Sequence, residues 1–227
     1  MKNKNIDKEV VAMIAAALQE LKPQMIFVGG ATLSLYINDV VADEIRNTND
    51  IDLTIQLTGY AEWAKMQERL SQLGFYPNPE GHAICSYIYQ GILADIMPSE
   101  DGHMGKANTW YKPGFDYLQM VMAENIEVKI LSAPYFLATK FEAFHSRGGD
   151  YRTSHDFEDI IFVLDNRTTI VEEILAADSK VKPFLKTELL KVLSNSNSEE
   201  IISCHIHPSV VKQRYQLVLE KINKIIS

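Results

Sequence analysis

The stretch Arg46-Asn47-Thr48-Asn49-Asp50-Ile51-Asp52-Leu53-Thr54-Ile55 (RNTNDIDLTI) sets two aspartates, one residue apart, at the head of a β-branched and apolar run. Side chains alternate faces along an extended chain, so Asp50 and Asp52 point one way while Ile51 and Leu53 point into a core. Two like charges on one strand face call for a positive partner. Upstream, MIFVGG (25–30) reads as a buried strand ending in a diglycine, and 31–36 resumes a helical pattern. A glycine turn at Gly29 and Gly30 lets backbone approach an anion, the helix start offers free N–H groups to a phosphate, and Thr32 adds a hydroxyl. Downstream, HAICSYIYQGILADIMP (82–98) alternates about Gln90 and Gly91, predicting a hairpin whose second strand carries Asp95. Asp50, Asp52 and Asp95 then form a set of hard oxygen ligands suited to one or two Mg²⁺ ions, with nucleotide phosphates completing the coordination. The competing account of Asp95 is an aspartate that merely ends a strand.

Order and spacing add a resemblance. FVGGATLSLY followed by RNTNDIDLTI resembles the DNA polymerase beta-like nucleotidyltransferase superfamily, whose signature is a glycine turn, a helix and an acidic-x-acidic strand. The lead-in Arg46, Thr48, Asp50, Asp52 is most similar to the AbiEii-type toxin branch. KFEAFHSRGGDYRTSHDFEDI (140–160) resembles that branch's second motif, which implies nucleotide-binding roles for Lys140, Arg147, Asp156 and Asp159 beside Gly29, Gly30, Thr32, Arg46 and Thr48. The sequence departs from the pattern twice. The interval from Gly30 to Asp50 is longer, implying an insertion looped out around Asn38 to Asp43, and His155 stands where a basic residue usually precedes the downstream aspartate.

The second motif also has a reading of its own. Lys140 and Arg147 lie two helical turns apart on one face with Phe144, Gly148 and Gly149 end that helix, and Asp156 and Asp159 share a face of the next. Lys140 near a triphosphate would neutralise charge on the transferring group. The alternatives are a solvated face paired to Glu142 or Asp150, and, for Asp156 and Asp159, ion pairing that holds Arg147 in place.

The rest of the chain sets the frame. A length of 227 residues, 46% hydrophobic and 23% charged, suits one large or two small globular domains, and a net charge of -8 argues against a generally basic nucleic-acid coat. Cys85 and Cys204 have no paired spacing, so neither a disulfide framework nor a zinc site is indicated. No segment is apolar enough to span a bilayer, and the first helix, from about Asp7 to Leu21 with Pro23 closing it, is amphipathic rather than secretory, so a cytoplasmic protein is expected. SCHIHP (203–208) reads as a helix terminus rather than a metal site. Trp110, Tyr111, Phe115 and Tyr117 belong to a Gly- and Pro-bearing segment read as packing or as a lid over the site.

Strands precede helices, which predicts an α+β fold: a nucleotidyltransferase-type mixed sheet flanked by helices over 1–131, then a C-terminal helical domain over 132–227 that completes the active site. The resemblance implies a Mg²⁺-dependent transfer of a nucleoside monophosphate from an NTP to an acceptor. That acceptor is RNA such as tRNA if the chain is a toxin of a toxin–antitoxin or phage-defence system, with an antitoxin as possible partner. A small-molecule acceptor, or a degenerate member that binds nucleotide or partner without turnover, are the alternatives.

Overall fold

A computed structural model of the chain describes residues 8–39, 46–56, 59–80, 85–102 and 106–227, which separate into two compact units. The first comprises 1–35 and 45–132, the second 36–44 and 133–227.

The first unit is built on a mixed sheet. Its strands are β1 (Met25–Val28), β2 (Asp50–Ile55), β3 (Tyr76–Pro77), β4 (Ser86–Tyr89), β5 (Ile92–Pro98), β6 (Leu118–Ala123) and β7 (Ile126–Leu131), in spatial order β3-β4-β5-β2-β1-β7-β6. The β2–β5 and β1–β7 pairs are parallel and the others antiparallel. Gln90 and Gly91 both take positive φ, 49° and 84°, the twist a two-residue hairpin needs between β4 and β5. One face of the central strands is sealed: Phe27, Ile51, Leu53, Tyr87, Ala94 and Ile96 are buried. Helix α2 (Tyr60–Gln72) lays Trp63, Met66 and Leu70, spaced three and four apart, into the core, and Gln67 hydrogen-bonds Tyr87. Each of those three side chains contributes roughly 1.5–3 kcal/mol by leaving water. Helix α1 (Lys8–Ala17) packs on β6 and β7 through the apolar stripe that includes Val10, Val11 and Ile14.

Several boundaries differ from expectation. The first helix stops at Ala17, because Gln19 takes φ 48° and the chain continues as a 3-10 helix over Gln19–Gln24 that contains Pro23. The segment after the diglycine is also 3-10, Gly30–Leu35, too short and tight to be the α-helix the pattern suggests. Strand β6 was not foreseen, nor was α3 (Tyr111–Gly114), whose Tyr111 is buried. Asp7, Val40–Asp43, Leu57, His82–Ile84 and His103–Gly105, on which parts of the expected cap, insertion, strands and lid fall, lie outside the described residues.

The second unit is helical: α4 (Ala133–Ser146), α5 (His155–Asn166), α6 (Ile170–Ala176), α7 (Val181–Ser194), α8 (Ser198–Ser203) and α9 (Val211–Ile226). Helix α4 packs against α5, α6 and α7, and α9 packs against α5, α6 and α7 in turn. Ser154 caps α5 by accepting from the Phe157 N–H. At the other end Lys221 from α9 donates to the carbonyls of Leu164, Asp165 and Arg167 at 2.7, 2.9 and 3.1 Å, closing the orphan acceptors of the α5 C-terminus. Residues 36–39 belong to this unit. Tyr36 packs on Phe136 with ring centroids 4.3 Å apart and planes tilted by 34°, its carbonyl accepts from Arg167, the Asn38 and Asp39 N–H groups donate to the Asn166 carbonyl, and Asp39 pairs with Arg214 at 2.7 Å. The polar stretch SNSNSEE (194–200) contains the start of α8.

Candidate metal and nucleotide site

Asp50 and Asp52 stand on the open face of β2, half-buried, while Ile51 and Leu53 between and after them are fully buried. The parallel register sets Asp52 beside Asp95 on β5, so the third carboxylate arrives from the neighbouring strand at the same height. Ligand oxygens of Asp50, Asp52 and Asp95 all lie within 4.8 Å of one another. Three anionic oxygens at that separation repel one another in isolation and fit a hard divalent cation that takes oxygen ligands.

The glycine turn shapes the space beside them. Val28, the last residue of β1, pairs with Asp52, and Gly29 follows with φ +70°. A Cβ on Gly29 would lie 1.9 Å from Asp52 Oδ2, so the carboxylate occupies the volume a side chain would fill. Arg46 does the same at Gly30, where a Cβ would come within 2.5 Å of Nη2. A guanidinium is therefore seated against the turn, one strand from the carboxylates. Thr48, buried, donates from Oγ1 to Asp50 Oδ1 at 3.0 Å and fixes that carboxylate's rotamer. Thr32 is fully buried and its hydroxyl donates back to the Gly29 carbonyl at 2.8 Å, bracing the turn. The sequence suggested that this hydroxyl adds to a phosphate site; here it is bonded within the turn that would form that site. Cys85, at the foot of β4, is buried, and its thiol is pushed up by burial and then by the Asp95 charge.

Lys140, Arg147, Asp156 and Asp159 assemble separately, inside the helical unit. Lys140 Nζ, nearly buried, lies 3.1 Å from Asp156 Oδ1 and 2.7 Å from Asp159 Oδ2, both carboxylates being buried. Arg147 Nη1 reaches Asp156 Oδ2 at 2.6 Å while 72% of its side chain is exposed. One buried carboxylate thus bridges both cations. Phe144 between them is buried against Tyr151 and Phe157. Such a cluster is costly to desolvate and tolerable only because each charge has a partner. His155 pairs with Glu158 at 2.9 Å on the exposed side of the same helix. His205 bonds the Tyr151 carbonyl and His207 bonds Ser209, and neither joins a metal-ligand cluster among the described residues.

No protein-family model matches the sequence, and no curated protein matches it. Among solved structures the chain is similar to the crystal structure of an antigenic nucleotidyltransferase-like protein from Paracoccidioides brasiliensis, with 18% identity, a TM-score of 0.52, and coverage of 90% of this chain and 95% of that one. The fold, a mixed sheet flanked by helices, is therefore nucleotidyltransferase-like.

Proposed function

We propose that the protein is a Mg²⁺-dependent nucleotidyltransferase that moves a nucleoside monophosphate from an NTP to an acceptor hydroxyl. The observation that carries it is the convergence of Asp50, Asp52 and Asp95 on one sheet face, beside a glycine turn into which Asp52 and Arg46 are fitted. Asp50, Asp52 and Asp95 would hold the ion, which when bound supplies charge neutralisation at the phosphates and orients them. Gly29 and Gly30 leave backbone room for the triphosphate, and Arg46 is the cation beside it. Asp95 takes the acceptor proton as the acceptor oxygen bonds to the α-phosphorus. The bond from that phosphorus to the bridging oxygen breaks, and pyrophosphate leaves with the electron pair.

In the same proposal Lys140, Arg147, Asp156 and Asp159 keep the nucleotide-binding role their motif implies, with Arg147, the exposed member, as the phosphate contact and Lys140 setting its anchor. The toxin–antitoxin or phage-defence setting, an RNA acceptor such as tRNA, an antitoxin partner and a cytoplasmic location follow from the motif resemblance to the AbiEii-type branch. No helix among the described residues is long and apolar enough to cross a membrane. A small-molecule acceptor is the second reading, favoured by the net charge of -8, since RNA backbone binding calls for a basic surface.

The test incubates purified protein with Mg²⁺, total RNA or a small-metabolite extract, and each α-labelled nucleoside triphosphate, beside an Asp50→Ala, Asp52→Ala double variant. Label entering an acceptor with the unaltered protein alone supports the proposal and names the nucleotide. Absence of both transfer and metal-dependent triphosphate binding overturns it.

A further inference from the structure

The two sides of the carboxylate set differ in chemistry. Toward β1 lie the glycine turn and Arg46. Toward β4 and β3 the strand registers lay out two rows on the open face, because directly paired residues present side chains on the same side. In one row Asp52 pairs with Asp95, Asp95 pairs with Ser86, and Asn78 bonds Ser86 through its N–H (2.9 Å to the carbonyl) and its amide (3.4 Å to Oγ). In the other Asp50 pairs with Leu93, Leu93 with Ile88, and Ile88 with Tyr76. Leu93 and Ile88 are half-buried and Tyr76, on the edge strand, is 61% exposed. The opposite face of these strands is the sealed core, so the strip is the open side of the same sheet that carries the carboxylates.

We infer that this strip is the acceptor subsite, and that it takes an uncharged, hydroxyl-bearing ring molecule rather than a phosphate-bearing polymer; the inference rests on the nucleotidyl-transfer reading above and, of its two acceptors, takes the small molecule in place of RNA. Three observations converge. The strip is continuous with Asp95, so a ring lying on Leu93, Ile88 and Tyr76 brings a hydroxyl to the carboxylate that takes its proton. Ser86 beside Asp95 is buried and its Oγ accepts from the Asn78 amide, so that end of the strip is closed by a neutral, internally bonded pair and adds no charge of its own. And the chain from Tyr76 to Pro98 contains no lysine or arginine while holding Glu80 and Asp95, so phosphodiesters on this side meet anions without compensation. The triphosphate, by contrast, has Arg46 and the glycine turn on the β1 side. Apolar contact, an exposed tyrosine face and an uncharged floor beside Asp95 suit a neutral ring with polar substituents.

Adenosine and the tetranucleotide of adenosine present the same base and ribose and differ in charge, which makes them the probes. Methyl NMR of the full-length protein with Mg²⁺, first without nucleotide and then saturated with the non-transferring α,β-methylene analogue of ATP, GTP, CTP or UTP, follows the Ile88 and Leu93 methyls as each probe is added. The expected result is that adenosine shifts both methyls, that the tetranucleotide binds at least tenfold more weakly, and that Tyr76→Ala weakens adenosine about tenfold without moving the methyl signals of the sealed face. Shifts from adenosine that vanish when the triphosphate analogue is present would make the strip the nucleotide's own base pocket and overturn the inference. Equal or tighter binding of the tetranucleotide would overturn it in favour of RNA, and no shift at Ile88 or Leu93 up to the solubility limit of adenosine would also overturn it. The Gly29 and Gly30 amide signals report the triphosphate independently. If the analogue moves them and adenosine leaves the strip untouched, the acceptor assignment alone falls. If none of the four analogues moves them, nucleotidyl transfer falls and the acceptor subsite with it.

Discussion

Oδ2 of Asp52 sits where the Cβ of residue 29 would be, 1.9 Å from that position, so the identity of Gly29 and the placement of the Asp52 carboxylate are one structural fact. Gly29→Ala must displace the carboxylate or the turn, and it also puts an L-residue at φ +70°, a strain of about 1–2 kcal/mol. Nucleotidyl transfer is expected to fall on the order of 100-fold, by analogy with the loss of groups that orient metal ligands. Thermal melting should drop only by the strain, so a variant with full activity and an unchanged melting temperature contradicts the geometry. Gly91→Ala is the control: it has comparable positive φ, 84°, and nothing within 4 Å of the added carbon.

Three carboxylates within 4.8 Å repel one another until a cation joins them. Mg²⁺ or Mn²⁺ is expected to raise the melting temperature by several degrees, since a ligand at 100 times its dissociation constant stabilises by about 2.7 kcal/mol. Asp52→Asn should abolish that metal response and, in chelator, melt above the unaltered protein because a like charge has been removed. Calorimetry of both proteins with and without metal decides it; an equal metal response in the variant would show that the ion binds elsewhere.

Lys140→Met leaves Asp156 and Asp159 buried with their shared cation gone. Truncating one partner of a buried ion pair costs about 3–5 kcal/mol, and urea unfolding should show a loss of that size. Adding Asp159→Leu to Lys140→Met should recover part of it by removing a stranded charge. If Lys140→Met instead unfolds at the original urea concentration yet abolishes transfer, the lysine acts on substrate and its burial between the carboxylates does not govern the fold.

Asp178 ties α4 to the turn before α7. Burial pushes its carboxyl up, but the N–H groups of Lys180 and Val181 and the Tyr135 hydroxyl, 2.8 Å away, outweigh burial and hold it below the ordinary 3.8. A carboxyl with a depressed folded value binds its proton more readily when unfolded, so its contribution is complete above about pH 4 and disappears as pH falls through the folded value. The stability gap between the unaltered protein and Asp178→Asn should be constant from neutral pH to that point and then close. A gap that stays open in stronger acid would mean that the asparagine loses packing rather than charge.

What the sequence discloses depends on how local each cause is. Strands β2 and β5 and the turn at Gln90 and Gly91 are legible because alternation and positive-φ residues act within a few positions, and the same alternation places Asp50 and Asp52 on one face. The meeting of Asp95 with Asp52 needs the parallel register of two strands about forty residues apart, so sequence can nominate Asp95 without fixing its height. Strand β6, LQMVMA, escapes because it follows an aromatic, Pro-bearing segment and carries apolar residues on both faces: Met120 and Met122 are exposed while Ala123 is buried. The spacing of Lys140 and Arg147 correctly puts both on one helix face, where they share Asp156. Whether that face points outward is decided by α5, and periodicity in α4 alone contains no trace of it. The 3-10 helix Gly30–Leu35 is equally hidden, since six residues after a glycine have the same pattern in either helix type.

The attachment of Tyr36 and Asp39 to Phe136, Arg167 and Arg214 means that the helical part of the molecule is not a contiguous cassette. Asp39 and its arginine partner are 175 positions apart, so during synthesis that ion pair cannot form until α9 emerges. A fragment beginning at residue 133 would present Arg214 without that carboxylate and Phe136 without its partner ring. Recombination that exchanged only the C-terminal stretch between relatives would inherit the same mismatch. The helical segment is therefore transplantable only together with residues 36–39, which lie in the middle of the other unit's sequence.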